Sequence, residues 1–278
     1  MHLLRRDTDG EFSLADYDDR QLPPYAILSH TWGSDNDEVS FKDIVKGRGK
    51  EKQGYAKLHF CANQAANDGL EYFWVDTCCI DKKDSVELSK AINSMFSWYQ
   101  HSTRCYVYLS DVTAPPRTPW KTAFQKSKWF TRGWTLQELL APSSVEFFTV
   151  DGERLGDKQT LSQLIRHATA IHSRALETSP LRLSDFSIEE RMSWAAGRET
   201  KREEDAIYSL LGLFDVHMPP IYGEGKSNAF DRLELEIERK LALDSSRKRS
   251  AEEAFETTLP GPEGSNAKQK QSARDRTQ

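Results

Sequence analysis

The chain has 278 residues, long enough to bury a sizeable core, with 29% charged residues and a formal net charge of -5. Nucleic-acid binders normally carry a basic excess, so this balance argues against that class of partner. No apolar run approaches the roughly 18 residues of a membrane-spanning helix, and the start, MHLLRRDTDG, has no apolar signal core; a cytoplasmic location is the default expectation.

Residues 1–24 read as an N-terminal segment leading into an α/β domain over 25–150. Tyr25-Ala26-Ile27-Leu28, after Pro23-Pro24, is a short apolar run and the first strand expected; it opens into Ser29-His30-Thr31-Trp32-Gly33. A helix follows from about Tyr55 to Asn67. Leu58, Ala62 and Ala65 mark its buried face, and Asp68-Gly69 stops it. Tyr72-Phe73-Trp74-Val75 is a continuous apolar strand of the fully buried kind, running into Asp76 and Asp81. After Ser85, Leu88, Ile92, Met95, Phe96 and Tyr99 make the stripe of a second helix. Cys105–Leu109 reads as a third strand, followed by a loop with Pro115, Pro116 and Pro119. A short helix is expected near 133–140 and a fourth strand at Val145–Phe148. Strands alternating with helices imply a mostly parallel sheet flanked by helices.

Beyond Asp151 the pattern turns mainly helical, an extension over 151–243 expected to pack on the first domain. Ser187 and Glu190 resemble a capping box ahead of a helix through Ala196; further helices are read at about 203–211 and 227–241. The stretch 244–278 has few large apolar residues and is expected to be disordered. Cys61, Cys78, Cys79 and Cys105 show no metal-ligand spacing and read as reduced core residues, with one of the adjacent pair Cys78/Cys79 able to face a site.

Ligands of parallel α/β sheets bind beyond the carboxyl ends of the strands. Those ends carry Ser29, His30 and Trp32 after the first strand and Asp76 after the second. His30 is either a base or donor or a structural histidine. Trp32 either stacks on a planar ligand or plugs the core, and Asp76 either binds a sugar hydroxyl or caps a turn. The most informative segment is 127–140, SKWFTRGWTLQELL. In it Trp134 and Glu138 stand i and i+4 on one helix face, with Leu136, Leu139 and Leu140 on the other. An acid beside an indole in a crevice gains a raised pKa from desolvation. The alternative is that Glu138 pairs with an arginine such as Arg132. Glycine-rich phosphate loops, HExxH and GxSxG are all missing, and no metal is called for.

The runs YAILSHTWG (25–33), FWVDTCCID (73–81) and WFTRGWTLQELLAP (129–142) make the chain resemble the fungal heterokaryon-incompatibility (HET) domain, in particular the HET region that opens fungal NOD-like receptors. HMPPIYGEG (217–225) is similar to the extension that often follows it. A more distant resemblance is to the TIR domain, which has a flavodoxin-like fold. Ile27-Leu28-Ser29-His30 is similar to its opening strand, and Trp134-Thr135-Leu136-Gln137-Glu138-Leu139 to the segment whose glutamate is catalytic in NAD-cleaving members, with Thr135 where that pattern has cysteine.

These resemblances imply a TIR-like α/β fold and an effector of regulated cell death that cleaves the nicotinamide–ribose bond of NAD+. NAD+ would be the substrate and no cofactor would be needed. Glu138 would be the key carboxylate, with Ser29, His30, Trp32, Asp76, Arg132 and Trp134 around the substrate. They also imply self-association and a NOD-like receptor or other incompatibility partner. The rival reading is a non-catalytic module that signals by assembling partners.

Overall fold

The computed structural model describes residues 1–113, 119–177 and 181–258. Pro115 and Pro116 of the expected loop lie outside them, as do residues 259–278 of the tail. In chain order the elements are β1 (His2–Arg6), β2 (Phe12–Asp16), β3 (Tyr25–His30), α1 (Phe41–Val45), α2 (Gly54–Asn67), β4 (Tyr72–Trp74), α3 (Ser85–His101), β5 (Arg104–Leu109), α4 (Trp120–Gln125) and α5 (Thr135–Leu140). They continue with β6 (Val145–Thr149), β7 (Arg154–Asp157), α6 (Ser162–Thr169), α7 (Ser173–Glu177), α8 (Ile188–Ser193), α9 (Asp205–Tyr208), α10 (Leu211–Phe214) and α11 (Gly225–Thr258).

The strands form one mixed sheet in the order β2-β1-β4-β3-β5-β6-β7. Its centre, β4-β3-β5-β6, is parallel throughout. Taken in chain order these four strands stand second, first, third, fourth, which is the flavodoxin-like order. The expected α/β class therefore holds, with antiparallel strands at both borders. Each central strand is almost wholly buried, in keeping with apolar runs covered on both sides.

Side-chain alternation assigns the faces. Ser29, Val107 and Phe147 share a register row, and Phe147 meets the Trp129 ring just ahead of α5. His30, Tyr108 and Phe148 share the next row, where Phe60 of α2 rings against both aromatics. So α2 covers one face and the segment leading into α5 the other.

The sheet begins earlier than expected. Residues 1–16 form a hairpin whose Leu4 pairs with Phe73 of β4. The Asp7–Gly10 turn, with Gly10 at φ +88, closes it. Arg5 and Arg6 masked the apolar signal of this strand. At the other border β7 adds a strand to a region read as helical; its short Arg-Leu-Gly-Asp sequence carries little periodicity. The helix expected over 203–211 is two single turns, α9 and α10. Gly212 lies so close to α3 that a Cβ there would fall 2.1 Å from Phe96 Cβ. The capping box at Ser187 and Glu190 forms as expected, opening a helix that ends at Ser193. Finally, α11 runs to Thr258, into the stretch expected to be disordered; Lys, Arg, Ala and Glu there are strong helix formers. Residues Met1–Ile237 make one compact unit and Glu238–Gln278 another.

Candidate functional site

Just beyond the carboxyl ends of β3 and β4 lies a cavity of 310 Å³. Six of the seven residues singled out from the sequence line it: His30, Trp32, Asp76, Arg132, Trp134 and Glu138. Residues more than 100 positions apart therefore converge at one place.

Glu138 lies on the cavity wall and is 6% exposed. Its carboxylate accepts a hydrogen bond from the Ser29 hydroxyl. The Trp129 indole donates to the same Ser29 oxygen at 2.8 Å. An indole N–H can only donate, so the Ser29 proton is left for Glu138 whenever that carboxyl is ionised. Ser29 itself is fully buried and is not among the residues that line the cavity. Burial raises the Glu138 pKa, Asp76 adds to the rise, and Ser29, Tyr99 and Arg198 oppose it; the result is about 8.

The expected alternative partner, Arg132, forms no ion pair with Glu138 among the described residues; the arginine whose charge acts on Glu138 is Arg198. Arg198 is half-buried with its guanidinium turned inward, and burial brings its pKa down to about 10. It donates to the Arg132 carbonyl at 2.8 Å and to Thr135 Oγ1 at 3.0 Å, clasping the entry to α5, while its Nη2 is buried without a hydrogen-bond partner. The extension is stitched to this same segment: Gly133 N donates to Glu199 O at 2.9 Å and Glu199 N to Thr131 O at 2.6 Å. Gly133 permits the approach, since a Cβ there would come within 2.5 Å of Thr200 Cγ2.

His30 sits between two acids, Nε2 at 3.6 Å from Glu38 and Nδ1 at 3.9 Å from Asp76. Burial alone would raise Glu38, but His30 and the Lys57 ammonium, 2.5 Å away, hold it well below the usual carboxylate range. Trp32 does not plug the core: it is 39% exposed, its indole donates to Asp76 at 2.9 Å, and Lys82 stands 3.6 Å above its ring. The apolar wall comes from α3, through Leu88, Ile92 and Met95.

The opposite wall belongs to the extension, which the sequence reading left without a part in the site. Lys201, Arg202, Asp205 and Tyr222 all line the cavity. Burial raises the pKa of Asp205, against hydrogen bonds from Tyr222 (2.9 Å) and Trp134. Glu204 fixes the 217–225 segment by accepting from Gly223 N at 2.7 Å and Gly225 N at 3.3 Å. The similarity of that segment to a recurring extension was the one signal available for Tyr222. Trp129 opens the 129–142 motif, but nothing in the sequence tied it to Ser29; Arg198 had no signal, because a single residue outside a periodic pattern looks like any other.

All four cysteines are free and buried, and none lines the cavity; the Cys79 thiol instead accepts from Val75 N at 3.3 Å. Among the described residues no group of three or more His, Cys, Asp or Glu is placed to hold a metal, and no helix is long and apolar enough to cross a membrane.

Residues 25–116 match the family model described as heterokaryon incompatibility protein (HET). Over 243 residues the chain is 56% identical to the vegetative incompatibility protein HET-E-1 of Podospora anserina, an alignment covering 85% of this chain. The chain belongs to the heterokaryon-incompatibility (HET) family. It spans 18% of the length of that relative. No solved structure matches it. The HET family match ends before Arg132, so the cavity joins matched residues (His30, Trp32 and Asp76) to later ones from α5 and the extension.

Proposed function

We propose that this HET domain triggers incompatibility-type cell death by hydrolysing the nicotinamide–ribose bond of NAD+, with Glu138 as the key carboxylate. The observation that carries the reading is a buried, Ser29-bonded carboxyl on the wall of a cavity at the strand ends, where flavodoxin-like sheets place their ligands.

Nicotinamide departs from a cationic ring as a neutral base, so it needs little acid assistance. The ribose carbon it leaves develops oxocarbenium character. One ionised carboxylate held close to that carbon stabilises the charge as it forms, more effectively in a water-poor pocket than in solution. Water then attacks the carbon and loses a proton, giving ADP-ribose. A fixed acceptor geometry costs no reorganisation during the step, and the Trp129–Ser29–Glu138 chain supplies it. Asp76 and Asp205 offer further acceptors for sugar hydroxyls on the same walls. The raised Glu138 pKa sets a condition: the carboxyl works only once ionised, which an arriving cationic ring favours. Self-association and a receptor-type partner belong to this reading as the means of switching the domain on.

The test is expression of the wild type and Glu138→Gln in fungal cells, following viability and cellular NAD+ together. Loss of both effects in the variant, at equal protein level and fold, supports hydrolysis. Undiminished killing by the variant would favour a module that acts by assembling partners.

A further inference from the structure

The charges around the cavity are unevenly matched. Lys82 stands 3.6 Å from Asp76, and Lys201 lies 2.5 Å from Asp35. These two cations are largely spent on neighbours. Arg132 and Arg202 line the same cavity, yet among the described residues neither guanidinium takes part in a hydrogen bond or an ion pair. One is placed through its side chain and the other through its backbone. The Arg202 guanidinium lies over the Tyr222 ring at 4.0 Å. The Arg132 backbone is fixed by Arg198 and by its pairing with Glu199. Two guanidiniums without a hydrogen-bonded partner line one cavity, and their planar forks suit phosphate oxygens.

The remaining walls extend the match. Leu88, Ile92 and Met95 give a flat apolar side, and Glu138 and Asp205 give acceptors for hydroxyls. A planar ring, a sugar and a phosphate would each meet their own surface. At 310 Å³ the cavity stands at the lower end of ligand pockets, which span roughly 300–1,000 Å³. That is room for one nucleotide unit rather than two.

We infer that the cavity takes a single phosphorylated ribosyl unit, its phosphate clamped between Arg132 of the HET segment and Arg202 of the extension, with any second nucleotide lying outside the rim. The inference rests on the ribosyl-substrate reading above and names its recognition element. The extension is then part of the binding site, and the ligand bridges two stretches of chain.

Binding to the Glu138→Gln protein tests it without turnover. The probes are nicotinamide mononucleotide and nicotinamide riboside, which differ only by the phosphate, followed by calorimetry at low and high salt. The mononucleotide should bind at least about tenfold more tightly, as charge-assisted hydrogen bonds allow, and the gap should narrow with salt. Adding Arg132→Gln or Arg202→Gln should remove about tenfold from the mononucleotide and leave the riboside unchanged, with Arg→Lys variants in between. Melting curves establish that each variant is folded. Equal affinity for the two probes, no binding of either, or equal losses for both would overturn the clamp. NAD+ turnover by the wild type is a separate readout: turnover without phosphate-dependent binding sinks only the clamp, and phosphate-dependent binding without turnover sinks only the hydrolysis reading.

Discussion

Glu138 is held where its protonation responds to the fold. Its pKa in the folded chain is about 8 against an ordinary 4.5, chiefly through burial. Between those values the folded state keeps a proton that the unfolded chain has lost, so this residue's contribution to stability is full below about pH 4.5 and declines as pH climbs to 8. Glutamine has no proton to lose. The Glu138→Gln melting temperature should therefore gain on the wild type as pH rises across that window, and calorimetry over the range checks it; parallel curves would mean that the carboxyl is not desolvated. From the sequence, Trp134 at i-4 and a crevice were enough to suggest a shifted acid. The Ser29 and Trp129 contacts that orient it were hidden, because they join residues 100 positions apart in the chain.

The elements that carry the site are short and depend on neighbours. α5 has six residues, too few to be stable alone, and is clasped at its entry by Arg198 and at its exit by Lys158. Lys158, itself buried, donates to Leu139 O at 3.3 Å and Pro142 O at 2.8 Å. Gly133 lets the 199–200 segment lie against this helix. Gly133→Ala should cost about 1–3 kcal/mol, the usual range for overpacking, because the new methyl meets Thr200 Cγ2. Thr200→Ser removes that methyl and keeps the hydroxyl bonded to Arg202 O, so the double variant should recover much of the loss in urea titrations. No recovery would place the strain elsewhere. The central strands and the long helices α2 and α3 were legible because their apolar patterns are strong. β1, β7 and the broken α9–α10 pair were not, since two arginines, a four-residue strand and Gly212 each blur the period.

At the scale of the molecule, the cavity is lined by both the α/β sheet and the extension. The chain order of the motifs made the first half of this plain, and a composition that merely reads as helical hid the second. The compact unit ends at Ile237, so a 1–237 fragment should fold with wild-type spectroscopic signatures. A 1–149 fragment should not, since it lacks β7, Arg198 and the partners of Gly133. A cooperative melt of the shorter piece would show that the extension is an accessory. NAD+ hydrolysis by Glu138 is read from the rate of nicotinamide release by purified protein tethered at high density, measured from about pH 6 to 9 for the wild type and Glu138→Gln. Release by the wild type should climb with pH toward a plateau above about 8, and the rate should fall on the order of 100-fold or more in the variant. Equal rates in the two proteins, or no release by the wild type at any pH, would contradict it.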